Sequence, residues 1–180
     1  MIRDDGRVLT QLDIPHAEPK MGKVAVIYTT PETVIDDYAR LLDLADYQTA
    51  LTPDIDTFLK VNISWQHYYP ACSSTPWQID GVVQKLQSDG FDKLTAAHNG
   101  TVVVNPVEGR EKNKHKVVED RLGLDHITLD VPPVTWIPYK PTAKMLVLDD
   151  VYKDGLYIPE VFPGTNIVQL PTVKTHVFTT

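Results

Sequence analysis

The spacing of apolar and polar residues changes period several times between residues 23 and 170, and each change marks an element. Lys23-Val-Ala-Val-Ile-Tyr28 is a short β-rich run, the pattern of a strand buried on both faces. Thr30-Pro31 follows and predicts a helix with Thr30 as N-cap and Pro31 at the first helical position. Val34, Tyr38, Leu41, Leu42 and Ala45 then share one helical face. Phe58 to Ile63 reads as a second strand. Thr75-Pro-Trp-Gln78 matches a capping box with Pro in the first turn, and Ile79, Val82, Val83 and Leu86 recur at i, i+3, i+4 and i+7 until Gly90 supplies a C′ residue. Leu94 to Ala97 is a short strand ending in the turn His98-Asn99-Gly100. Lys112 to Leu122 predicts a charged surface helix ended by Gly123. Strands are expected at His126 to Val131, Lys144 to Leu148 and Ile167 to Leu170, with Pro132, Pro133, Pro138 and Pro141 marking connections between the first two.

Strands alternating with helices imply an α/β fold, a mostly parallel sheet with helices on both faces. Residues 1–22 read as an N-terminal arm with one short strand at Arg7 to Leu12, and 23–180 as a single α/β domain. The chain stops soon after the polar cluster Lys174-Thr175-His176, which predicts part of a larger unit, incomplete without a further segment or chain.

Composition narrows the classes. With 42% hydrophobic and 23% charged residues, the 180-residue chain can build one globular core. It has no apolar run of about 18 residues, so no membrane span is expected. Met-Ile-Arg-Asp-Asp-Gly at the start lacks the basic and apolar regions of a signal peptide. A net charge of −7 argues against a nucleic-acid partner. Cys72 is the only cysteine, which excludes an internal disulfide, a cysteine-based zinc site and an iron–sulfur cluster held within this chain, and a cytoplasmic setting fits best. His67, His115 and His126 show no metal-ligand spacing, so no metal is expected, and the cofactor is left unknown.

In an open α/β sheet, ligands bind beyond the carboxyl ends of the strands. The polar residues expected there are Lys60 and Asn62, His98 and Asn99, Asp130, and Lys174 and His176. Lys60 and Asn62 alternate with Leu59 and Val61, so both point to one face. A Lys in an apolar strand is costly to bury unless it is paired or serves a ligand, the alternative being a snorkelling stem on an edge strand. Lys174 and His176 also alternate and face one pocket if the strand continues, the alternative being a solvated loop. Such a pair can bind an anion or do acid–base work. Ser73-Ser74-Thr75 offers hydroxyls and backbone N–H groups to an anion, unless Thr75 merely caps its helix. His98-Asn99-Gly100 is first a turn signal and second a ligand candidate. The Lys112–Lys116 stretch reads as a solvated helix face.

Lys60-Val-Asn62, Ser74-Thr75-Pro76 opening a helix, Gly90, and Leu170-Pro171-Thr-Val-Lys174-Thr-His176 together resemble the family called domain of unknown function 362, over about residues 23–180. The resemblance rests on a Lys-Pro-Asn-like motif, a Thr-x-Pro-like helix start and a Leu-Pro-Lys-x-Lys-Thr-His-like segment. Val61 stands in place of the usual Pro, Thr172 where a Lys is common, and the cysteine-rich segments of many relatives are missing. The resemblance implies roles for Lys60, Asn62, Lys174 and His176 and leaves the reaction open.

Two function classes follow. One is an enzyme or enzyme subunit acting on a small anionic or carbonyl-containing metabolite, with Lys60 and Lys174 binding the anion and His176 as acid or base. The other is a non-catalytic binding or assembly subunit, completed by a second chain or a homo-oligomer, or one chain of a protein processed after Thr179-Thr180.

Overall fold

A computed structural model describes residues 22–141 and 145–176. Four parallel strands form the sheet: β1 (Thr57–Val61), β2 (Leu94–His98), β3 (Asp125–Thr128) and β6 (Asn166–Leu170), in the order β3-β2-β1-β6. Helices α1 (Val34–Leu44), α2 (Pro76–Ser88), α3 (Pro106–Lys112) and α4 (His115–Leu122) lead into or link the strands. A second, antiparallel pair consists of β4 (Trp136–Tyr139) and β5 (Leu156–Pro159), with the four-residue helix α5 (Leu148–Val151) between them. The expected α/β fold is the one that forms.

The main core lies on one face of the sheet. Leu59, Val61, Ala96 and Leu170 meet Ile79, Val82, Val83 and Leu86 of α2, Val118 of α4, and the half-buried Tyr38 and Leu42 of α1. Burying such side chains contributes roughly 1.5–3 kcal/mol each before entropy is counted. α2 forms as its sequence predicts: Thr75 Oγ1 accepts the Gln78 N–H at 3.3 Å, Pro76 occupies the first position, and Gly90 takes the left-handed conformation after the helix. α1 and α2 run parallel, since Gly81 lies against Ile35 and Tyr38 and Lys85 bonds Asp43 at 2.8 Å. Buried Asn166 fastens the start of β6, its amide donating to the Thr52 carbonyl and to Thr57 Oγ1, both at 2.8 Å. The opposite face carries a smaller cluster of Phe58, Ala97 and Leu129 under Ile127, Val161 and Phe162. Helices α1, α2 and α4 pack on the first face. Among the described residues, the return from β3 to β6 runs through β4, α5 and β5 and lays Leu129, Val161 and Phe162 on the second face.

Several elements differ from expectation. Lys23–Tyr28 has no regular secondary structure and joins neither sheet among the described residues: Val24, Val26 and Tyr28 are 81%, 79% and 99% exposed. β propensity alone does not bury a strand; it needs a neighbouring edge, and here only Ala25 and Ile27 are half-buried, Ile27 lining a small cavity with Val34, Tyr38 and Leu41 of α1. α1 starts at Val34 with Thr33, not Thr30, at the N-cap position, because Thr30 to Thr33 closes a turn of its own. The helix expected over Lys112–Leu122 is two helices broken at Lys114, which has φ 66°. The buried Asn113 amide donates to the carbonyls of Trp65 and Gly109, which ends α3 there. α4 is two-sided: His115, Val118 and Glu119 are buried, while Val117, Asp120 and Arg121 face solvent. In the strand expected at Lys144–Leu148, Lys144 lies outside the described residues, Leu146 and Val147 are exposed without strand pairing, and Leu148 opens α5 with Asp149 and Asp150 in its first turn. Pro138, expected in a connection, sits in β4 opposite Tyr157, in a pair that no further strand flanks among the described residues. The strand expected at Arg7–Leu12 lies outside the described residues.

Candidate functional site

The strand order turns back between β1 and β6: β2 and β3 continue on one side of β1, and the late strand β6 is added on the other. In open parallel sheets, the crevice beyond the carboxyl ends at such a point is where ligands bind. Asn62 and Pro171 leave the sheet side by side there, because Val61 pairs with Leu170.

Ser74 closes the bottom of this crevice. The Asn62 N–H donates to Ser74 Oγ at 2.8 Å, the Ser74 N–H donates to the Asn62 carbonyl at 2.8 Å, and the Ser74 hydroxyl donates to the Leu170 carbonyl. The Asn62 side-chain amide donates to Ser64 Oγ at 2.9 Å. Of the candidates Ser74 and Thr75, both hydroxyls are therefore committed within the protein, one to the strand ends and one to the cap of α2.

Lys60 stands in β1 on the face opposite the helices, half-buried, its Nζ donating to the Val61 carbonyl at 3.2 Å. Among the described residues it meets no carboxylate, and burial lowers its pKa from the usual lysine value. Its register partners are Ala97 on β2 and Gln169 on β6. Gln169, which the motif search passed over, is exposed. Only the alternation of the edge strand could have pointed to it.

Lys174 and His176 follow β6 at the same end of the sheet, but on an exposed irregular segment. The strand that would have aligned them stops at Leu170, before Pro171, so strand alternation does not set their direction. Asn99 is half-buried after β2, in a turn that Asp130 holds by accepting the Gly100 N–H at 2.7 Å.

His98 points away from Lys60. Its residue is 2% exposed, on the helix face, with its ring 5.1 Å from that of His126. Neither ring nitrogen has a hydrogen-bond partner among the described residues. Burial lowers its pKa to about 4, helped by His126 and Lys60. His126 Nδ1 bonds Glu119 at 3.1 Å, and Arg110 donates to the other oxygen of this fully buried carboxylate. Burial pushes the Glu119 carboxyl up, yet His126 and Arg110 together outweigh it and hold it below the ordinary value. His115 donates from Nε2 to the Ser74 carbonyl at 2.7 Å, and burial lowers its pKa too. The fold thus gathers histidines that are scattered in sequence. Among the described residues, no group of three or more His, Cys, Asp or Glu side chains is arranged to hold a metal ion.

A larger apolar cleft of about 650 Å³ lies between Thr29-Thr30-Pro31, Val34, Ile35 and Trp77, and no candidate residue lines it. No described helix is long and apolar enough to cross a membrane. No family model, no curated protein and no solved structure matches the chain.

Proposed function

We propose that this chain binds a small anion at the carboxyl ends of β1 and β6, as an enzyme or enzyme subunit acting on an anionic or carbonyl-containing metabolite. Lys60 carries the reading. A half-buried ammonium with no carboxylate among the described residues, beside the point where the strand order turns back, is set to receive an anion. Lys174 adds a second cation at the same end, and His176 is the proposed acid or base, in keeping with the resemblance to domain of unknown function 362. His98, on the other face, drops out of this pocket. The test is thermal unfolding with phosphate, sulfate, acetate and pyruvate, for the wild type and Lys60→Met. Anions should raise the midpoint of the wild type and not that of the variant; equal shifts in both would refute a site at Lys60.

A second reading, assembly with another chain, is favoured by one observation. Val24, Val26 and Tyr28 present an exposed apolar row on a segment that no strand pairs among the described residues. Light scattering on the wild type and on a Val26→Ser/Tyr28→Ser variant tests it: association lost in the variant supports the reading, and a monomeric wild type at high concentration removes it.

A further inference from the structure

The open cleft at Thr29, Thr30, Pro31, Val34, Ile35 and Trp77 has a volume of about 650 Å³, within the range that holds small molecules. Among the described residues, no charged side chain lines it. Val34 and Ile35 open α1, Trp77 sits in the first turn of α2, and all three are half-buried. The lining is therefore apolar and includes one indole. Its hydroxyls have a fixed sense. Thr33 Oγ1 spends its hydrogen on the Asp37 carboxylate at 2.6 Å, and that bond is the first cause holding the carboxyl below its usual pKa range. The 3.2 Å contact between Thr30 Oγ1 and Thr33 Oγ1 must then be donated by Thr30. Thr29 Oγ1 donates to the Thr30 carbonyl at 3.3 Å. A hydroxyl has one hydrogen and two lone pairs. Both hydroxyls in the lining have committed their hydrogens within the protein, so they offer a ligand only lone pairs.

We propose that this cleft is a second binding site, for a neutral aromatic molecule that carries one hydrogen-bond donor, the class of indoles and phenols. The ring packs against Trp77, offset or edge to face, and removes Pro31, Val34 and Ile35 from water. Its N–H or O–H donates to Thr29 or Thr30. A neutral body suits this lining, because an ion taken out of water here meets no opposite charge among the described residues. A cation would also face the positive N-terminal ends of α1 and α2. An anion would set its oxygens against the hydroxyl lone pairs. The site does not depend on the anion reading at β1 and β6.

The test is a proton–nitrogen NMR titration of the full chain with indole, 1-methylindole, tryptamine and indole-3-acetate. It is read at the ring N–H signals of Trp65, Trp77 and Trp136, with Trp77→Phe to assign the middle one. Indole should shift the Trp77 signal saturably. 1-Methylindole keeps the ring and loses the donor, so it should bind about fivefold more weakly, the worth of one neutral hydrogen bond. The two ions should bind at least about tenfold more weakly than indole. Thr29→Val/Thr30→Val alters only exposed side chains, and far-UV circular dichroism confirms its fold. It should bring indole down to the affinity of 1-methylindole and leave 1-methylindole within about twofold. No saturable shift at Trp77 in the full chain would overturn the site. So would 1-methylindole matching indole in the wild type, or a preference for indole that survives in the double variant. Tighter binding of tryptamine or indole-3-acetate would overturn the neutral class.

Discussion

The Ser74 hydroxyl donates to the main-chain carbonyl of Leu170, 96 residues further along the chain, while accepting the N–H of Asn62. One buried side chain therefore ties the carboxyl end of β1 to that of β6, on which the proposed anion site is built. Ser74→Ala leaves a buried N–H and a buried carbonyl each short of a partner, at about 1–3 kcal/mol apiece. Urea unfolding should show a loss of about 2–4 kcal/mol. A loss under 0.5 kcal/mol would mean that the strand ends hold together without it.

Gly81 is set by contact, not by backbone conformation. A Cβ there would come within 2.8 Å of both the Ile35 carbonyl and the Tyr38 Cβ, because α1 and α2 pack backbone to backbone at this point. Ala normally stabilises a helix interior over Gly by about 1 kcal/mol. Here Gly81→Ala should destabilise by about 1–3 kcal/mol, since overpacking outweighs propensity. A raised unfolding midpoint would show that the helices can part at no cost.

Much of the fold could be read from local pattern, and the failures have physical causes. α2 carries cap, Pro, apolar period and terminal glycine in one stretch, so its bounds were legible. β1, β2 and β6 are apolar runs between turn signals, legible for the same reason. Lys23–Tyr28 has the same composition, but whether a strand is buried depends on an edge supplied from elsewhere in the chain. The break at Lys114 depends on Asn113 reaching the Trp65 carbonyl, 48 residues away, which no local period encodes. Lys60 stood out as a cation in an apolar strand. Its neighbour Gln169 did not, because a polar residue on an edge strand is ordinary until register sets a lysine beside it. The gathering of His98, His115, His126 and Glu119 was hidden, since their spacing in sequence carries no common period.

His98 makes the protein sensitive to acid. Its folded pKa of about 4 lies below the ordinary histidine value of 6.5, so protons bind the unfolded chain more readily. Its contribution is fully present above about pH 6.5 and is lost as pH falls toward 4, up to about 3 kcal/mol in all. The groups that act on it are His126, Lys60, Asp130 and His115, and only Asp130 opposes the shift. His115 works in the same direction. Glu119, held low, adds a loss that begins as pH falls into the usual carboxylate range and continues below it. Urea midpoints at pH 7.5, 6, 5 and 4.5 should fall steadily for the wild type and less steeply for His98→Leu. At pH 7.5 that variant should be as stable as the wild type or more so, because it removes two ring nitrogens that have no partner among the described residues. A slope unchanged in the variant would assign the acid sensitivity elsewhere.

Glu119 and Arg110 test whether the buried cluster acts as a unit. Glu119 is fully buried, while Arg110 keeps 23% of its side chain exposed. Removing one member of a fully buried pair costs about 3–5 kcal/mol because the other charge is stranded. With Arg110 partly wetted, Glu119→Gln should cost less, about 2–3 kcal/mol, and part of that comes from the weakened hold on His126 at 3.1 Å. Arg110→Met should cost a similar amount, since it leaves Glu119 charged in the interior with only His126 beside it. The double variant strands no charge, so it should cost at least 1 kcal/mol less than the two single losses added together. Chemical denaturation of the four proteins at pH 7.5 closes the cycle. Additive losses would mean that the pair is held in place by its surroundings and contributes no coupling of its own.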